Sequence, residues 1–233
     1  MLPFFFYGPV EIMIWVVALV IALAAQAGVS GAYKKYKQVS SSRGLTGAEV
    51  ARKMVQGLGV EVVMNNGGEL SDHFDPRKKT IRLSPDVYNG TNVAAIGIAA
   101  HEAGHALQYD QGYAPIKLRN GILPIAQIGS MAAIPLVFLG LFLGGDYGNV
   151  TWLIDLGIAL FIGVLAFQLI TLPVEFNASR RAIAALDHNV YLTPEESAGA
   201  KKVLRTAAMT YVAAVAVSAL QLLRLILISR RRR

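Results

Sequence analysis

The chain has 233 residues, 54% of them hydrophobic, and a mean hydropathy of +0.46; this excludes an ordinary soluble domain and leaves room for one water-facing domain beside several membrane helices. Twenty-two Lys and Arg against 15 Asp and Glu give a net charge of +7, and with no interleaved aromatic and basic residues the excess reads as membrane anchoring, not nucleic-acid binding. There is no cysteine, so disulfides and thiolate-held metals are excluded, and any metal must be held by His and carboxylates.

Residues 12–30 form a nearly unbroken apolar run, about the length that crosses a bilayer of roughly 30 Å. Ala25-Gln26-Ala27 resembles a cleavage site, but no Lys or Arg precedes the run, and Lys34, Lys35 and Lys37 follow it. The expectation is an uncleaved anchor with its N-terminus outside and its other end in the cytoplasm. From 33 to 119 mixed charges and turn residues mark the water-facing domain. Thr46 with Glu49 three residues on predicts a capping box and an amphipathic helix ending near Gly57 or Gly59. The β-branched runs at 60–64 and 80–84, separated by Asn65-Asn66-Gly67-Gly68 and Asp75-Pro76, predict a small antiparallel hairpin. Thr91 or Asn92 then caps the next helix.

That helix carries His101-Glu102-Ala103-Gly104-His105, an H-E-x-x-H pattern. Positions i and i+4 share one helix face, so both imidazoles can reach one metal ion while Glu102 faces a metal-bound water. Neutral imidazole suits Zn²⁺, and a carboxylate is needed because the water must lose a proton as it attacks. Ala99, Ala100, Ala103, Gly104 and Ala106 leave room for a close neighbour, and Gly104 costs about 1 kcal/mol of helix stability relative to Ala. That room can serve a substrate or plain helix packing.

Residues 122–143 and 150–172 are two more bilayer-length runs, joined by 144–149. No Lys or Arg lies between Asn120 and Ser179, so the joining loop is expected on the outer side. Pro124 and Pro135 are expected to kink the first run. Residues 174–187 return to the catalytic side with Glu175, Arg180 and Arg181, and Thr193-Pro194 starts another helix. In a fourth run, 207–228, Thr210, Ala214, Ser218, Gln221 and Arg224 fall on one stripe, expected to face protein. Four spans place both termini on one side, whereas the early anchor and Arg230-Arg231-Arg232-Arg233 disagree; a last run lying on the membrane surface removes the conflict.

A catalytic zinc with an open water position takes three protein ligands, so one more is needed after the two His. Glu175 is a candidate, although at a helix start it can equally pair with Arg180 or Arg181. Residues 68–77, the 99–108 helix and the block Glu175-Phe176-Asn177-Ala178-Ser179-Arg180-Arg181-Ala182 together resemble the YugP-type neutral zinc metallopeptidases of prokaryotic membranes. The likeness covers most of the chain; more distantly, the order of H-E-x-x-H, membrane hairpin and later Glu resembles the HtpX-type and CAAX prenyl peptidases. The resemblance implies that Glu175 completes a gluzincin site with His101 and His105. Those relatives carry Asp four residues after that Glu, whereas this chain has Ser179, a weaker support for a ligand His.

The expected fold is mainly α: an integral membrane protein with about four transmembrane helices and a cytoplasmic zincin-like α+β catalytic domain. Its parts are an anchor (1–32), the catalytic domain (33–120), a transmembrane hairpin (121–173), a third-ligand segment (174–206) and a C-terminal hydrophobic helix with a basic tail (207–233). The expected activity is peptide hydrolysis with one Zn²⁺ per chain, held by His101, His105 and Glu175, and Glu102 as general base. The expected substrates are membrane or membrane-associated proteins, in quality control at a prokaryotic cytoplasmic membrane; no nucleic acid is expected. His73 and His188 are the imidazoles available to support an oxyanion, and the hairpin can align an extended substrate. Two rivals stand beside this reading. One is a site-2 type intramembrane protease using Asp155, for which the apolar stretch 93–100 is too short to span; the other is a metal-stabilised membrane scaffold.

Overall fold

An apolar run in a bilayer must satisfy its backbone hydrogen bonds within itself, and each of the four runs is helical. The computed structural model describes residues 8–68, 71–143, 150, 152–189 and 191–230. Four of its helices are long and apolar enough to cross a membrane: α1 (Pro9–Lys37), α5 (Ala114–Leu143), α6 (Trp152–His188) and α7 (Pro194–Arg230). The short helices are α2 (Gly47–Met54), α3 (Pro85–Tyr88) and α4 (Val93–Asp110), and the strands β1 (Glu61–Met64), β2 (His73–Asp75) and β3 (Thr80–Leu83). The chain divides into two units, one of Met1–Ala25, Lys117–Leu172 and Tyr211–Arg233, the other of Gln26–Ile116 and Pro173–Thr210.

In the first unit, small residues let helices approach closely, as packing in lipid favours. A Cβ on Gly129 would lie 2.7 Å from the Leu160 carbonyl, and one on Gly157 2.6 Å from that of Ala133, so α5 and α6 touch backbone to backbone. Val137, Leu141, Ile154 and Phe161 of these two helices form one buried cluster with Leu225 and Ile228 of α7. Helix α5 continues through Pro124 and Pro135. On α7, Ser218 and Arg224 of the polar stripe are buried. The joining loop 144–149, Glu69, Leu70 and Arg231 to Arg233 lie outside the described residues.

The second unit holds the polar domain. Thr46 and Glu49 form the capping box, with Glu49 N donating to Thr46 Oγ1 at 3.2 Å and Thr46 N to Glu49 Oε2 at 2.8 Å. Helix α2 stops at Met54, earlier than the glycines predict, because a turn precedes them; Gly57 (φ 86°) and Gly59 (φ 64°) then shape the approach to β1.

The strand pairing corrects the sequence reading. The sheet order is β1-β3-β2: β1 and β3 run parallel, with Val62 opposite Ile81, and β2 runs antiparallel to β3, with Phe74 opposite Ile81. The long segment between the two β-branched runs carries the chain back and supplies a third strand, which closes onto β3 through a tight turn. Asp75 Oδ1 holds that turn by accepting from Arg77 N (2.9 Å) and Lys78 N (3.2 Å).

Of the two candidate caps of α4, Asn92 takes the position, its side chain accepting from Ala95 N at 2.9 Å. Residues 174–187, expected to follow directly on the second run of the hairpin, are the continuation of α6. On one side, α4 packs through Ala99, Ala103 and Ala106 against Val62, Ile81 and Leu83. On the other, Ile96 and Ala100 meet Ala182, Leu186 and Leu204.

Candidate metal centre

The site is built on the contact between α4 and α6. A Cβ on Gly104 would lie 2.5 Å from the Ala178 carbonyl oxygen, so only Gly allows the two backbones this close. The small residues of α4 thus serve helix packing, one of the two uses open from the sequence. One turn of α4 brings His101 and His105 together, with ring centroids 4.7 Å apart and planes at 82°. Glu175 of α6 reaches across: its Oε2 lies 3.3 Å from His101 Nε2 and 3.5 Å from His105 Nε2.

These three residues offer ligand atoms within 4.8 Å of one another, a group able to hold a metal ion. The Glu175 side chain is 3% exposed, and its Oε2 is a buried oxygen without a hydrogen-bond partner. A buried carboxylate oxygen of this kind is costly, and a cation between it and two imidazole nitrogens removes the cost. Two neutral nitrogens and one carboxylate form a donor set that suits zinc.

Behind the ligands, each outward-facing imidazole nitrogen has a partner. Ser179 Oγ lies 3.2 Å from His101 Nδ1, so this small hydroxyl does reach the imidazole. Gln108, fully buried, has its Oε1 3.0 Å from His105 Nδ1. Its Nε2 donates to the Val174 carbonyl at 2.8 Å and to Asn177 Oδ1 at 3.0 Å. Arg181 Nε donates to the same Asn177 oxygen at 2.7 Å. A backbone carbonyl can only accept and a guanidinium only donate, so the amide orientations of Gln108 and Asn177 are fixed. The Gln108 oxygen therefore accepts from a protonated His105 Nδ1, leaving Nε2 with its lone pair toward Glu175.

Glu102 is buried beside the pair. Asp72, in the segment before β2, lies within electrostatic reach of it: burial and the Glu102 charge hold the Asp72 carboxyl above its usual pKa, against the lowering effect of two Ser84 hydrogen bonds. Ser84 N donates to Asp72 Oδ1 at 2.7 Å and Ser84 Oγ at 3.0 Å. Burial lowers the pKa of His105, but the Glu175 carboxylate beside it and the Glu102 charge leave it raised.

Not every candidate from the sequence gathers here. His73 is exposed on β2 and its Nδ1 contacts the Ser71 carbonyl at 2.9 Å. His188 is exposed at the end of α6, 13 residues and so about 20 Å along the helix from Glu175. Neither belongs to the metal group, nor does Asp155. Sequence reasoning missed Gln108, Asn177, Asp72 and Ser84. Gln108 alone left a signal, lying three residues beyond His105 on the same face.

Residues 11–230 match the profile of a family described as "Putative neutral zinc metallopeptidase". A relative from Bacillus subtilis (strain 168), described as "Putative membrane protease YugP", is 44% identical over 219 residues, covering 93% of this chain and 95% of the relative. No solved structure matches the chain.

Proposed function

We propose, because the chain belongs to this neutral zinc metallopeptidase family, that it is a membrane-embedded peptidase of the H-E-x-x-H, gluzincin type. The single observation that carries the reading is the convergence of His101, His105 and Glu175 on one point, with a buried carboxylate oxygen lacking a hydrogen bond at its centre. One Zn²⁺ per chain is held there. When bound, zinc lowers the pKa of water and polarises the scissile carbonyl. His101 and His105 present Nε2, while Ser179 and Gln108 hold the opposite ring nitrogens. Glu102 takes the proton of the attacking water and delivers it to the leaving amine. Strand β2 is an outer strand of the sheet, and Phe74 on it stacks edge-on against Tyr109 of α4 at 6.0 Å. Its open edge suits an extended peptide added as a further strand beside the motif helix.

In this reading the catalytic domain faces the cytoplasm from a prokaryotic cell membrane, as Lys34, Lys35 and Lys37 after the first apolar run suggest. The substrates are membrane or membrane-associated proteins. The test uses the full chain in lipid nanodiscs, with metal content and peptide cleavage measured together. Glu102→Gln should retain zinc and lose cleavage by at least a hundredfold, whereas Glu175→Ala should lose zinc and Asp155→Ala should lose neither. Cleavage that survives exhaustive chelation, or zinc retained at full occupancy by Glu175→Ala, overturns the assignment.

A further inference from the structure

A groove of about 600 Å³ runs between α6 and α7; Asn177 and Ser179, which stand behind the metal group, are part of its wall. At 3.6 residues per turn, Pro173, Phe176 and Arg180 lie roughly 100° to 160° around α6 from Glu175. The groove floor is apolar, with Pro173, Phe176, Leu204 and Ala208, and its rim carries Arg180, Lys201 and Arg205. No carboxylate lines it. Lys201 is bonded to Asp187 at 2.9 Å. Among the described residues Arg180 and Arg205 have no ion pair or side-chain hydrogen bond, so two whole positive charges face the groove uncompensated.

Its position in the chain selects the occupant. Arg180 follows the apolar part of α6, Arg205 precedes that of α7, and Tyr113, also in the lining, immediately precedes α5. Tyr113 is fixed there by the Arg181 guanidinium, 6.0 Å from its ring centroid. Basic and aromatic residues where apolar helices end mark headgroup depth, and basic pockets between such helices on the inner side hold anionic lipid headgroups. A subsite for a scissile peptide would need to open onto the metal group, and none of His101, Glu102, His105 and Glu175 lines this groove.

We propose that the groove is a binding site for the phosphate of an anionic phospholipid, held by Arg180 and Arg205 over an apolar floor. The site is independent of the peptidase reading. Its test uses the full chain in zwitterionic detergent, titrated with short-chain phosphatidylglycerol, phosphatidylcholine or inorganic phosphate and followed by native mass spectrometry. Each Arg removed should weaken phosphatidylglycerol binding about fivefold, and Arg180→Ala with Arg205→Ala about twenty-five-fold. The double Lys variant should keep most of the affinity, which separates charge from fold, and unfolding temperatures without lipid should agree across the set. Equal phosphatidylglycerol binding by the wild type and the double Ala variant overturns the proposal. So does phosphatidylcholine binding as tight as phosphatidylglycerol, or inorganic phosphate saturating the site at the same concentration, which would make it a free-anion site.

Discussion

Replacing Gln108 by Leu keeps the volume of a fully buried side chain and removes three polar contacts. The Val174 carbonyl keeps its place in α6, and Asn177 keeps its bond from Arg181, so the group that suffers is His105 Nδ1–H, left buried without an acceptor. Such an orphan costs about 1–3 kcal/mol. Nothing then favours the tautomer that presents Nε2, and losing a support of this kind weakens metal binding by about 10- to 100-fold. Gln108→Glu separates the tautomer argument from packing. It keeps an acceptor at His105 but sets oxygen against the Val174 and Asn177 oxygens, so it should destabilise the fold while holding zinc better than the Leu variant. Zinc affinity is read by competition with a chromophoric chelator, and stability by chemical unfolding of the metal-free chain. A Leu variant that binds zinc within twofold of the wild type refutes the reasoning.

Gly104→Ala carries a diagnostic sign. In an open helix the change stabilises by about 1 kcal/mol, but here the new Cβ would sit 2.5 Å from the Ala178 carbonyl, so α4 and α6 must part; a loss of about 1–3 kcal/mol and at least tenfold weaker zinc binding are expected in unfolding and chelator titrations. Asp72→Asn tests the raised carboxyl beside Glu102. A folded-state pKa above the unfolded value means the native chain binds more protons between the two, so wild-type stability falls as pH rises from the ordinary Asp range through the raised value. Over that window the Asn variant should be less pH-dependent in urea unfolding, and identical slopes would count against the assignment.

What the sequence displayed plainly were features carried by neighbours in the chain. The Thr46–Glu49 box is a three-residue relation, as is the cap of α4, which the sequence narrowed to Thr91 or Asn92, and spans and imidazole spacing are periodicities of one helix. Parallel pairing of β1 with β3 was hidden because it depends on where a distant segment returns, which the β-branched pattern of each run does not encode. Glu175 was legible only through resemblance, since its own sequence context fits an ion pair with Arg180 or Arg181 equally well. Asn177 and Asp72 look like ordinary polar residues until the fold supplies their partners.

The metal group owes its geometry to reciprocity between two helices. Helix α4 supplies two imidazoles and also Gln108, whose amide holds the backbone of α6 at Val174, next to Glu175. Helix α6 supplies Glu175 and also Ser179, whose hydroxyl holds an imidazole of α4. Each helix therefore orients the other's members of the group, and neither can rotate or slide without breaking a contact on both sides. The Gly104–Ala178 contact fixes the spacing at which all of these bonds close together. Ser179 reaches His101 with a small hydroxyl because the two helices lie close together. A wider crossing would need a longer, charged side chain, so a residue enlarging the contact at Gly104 should be partly rescued by Ser179→Asp, with zinc affinity as the readout.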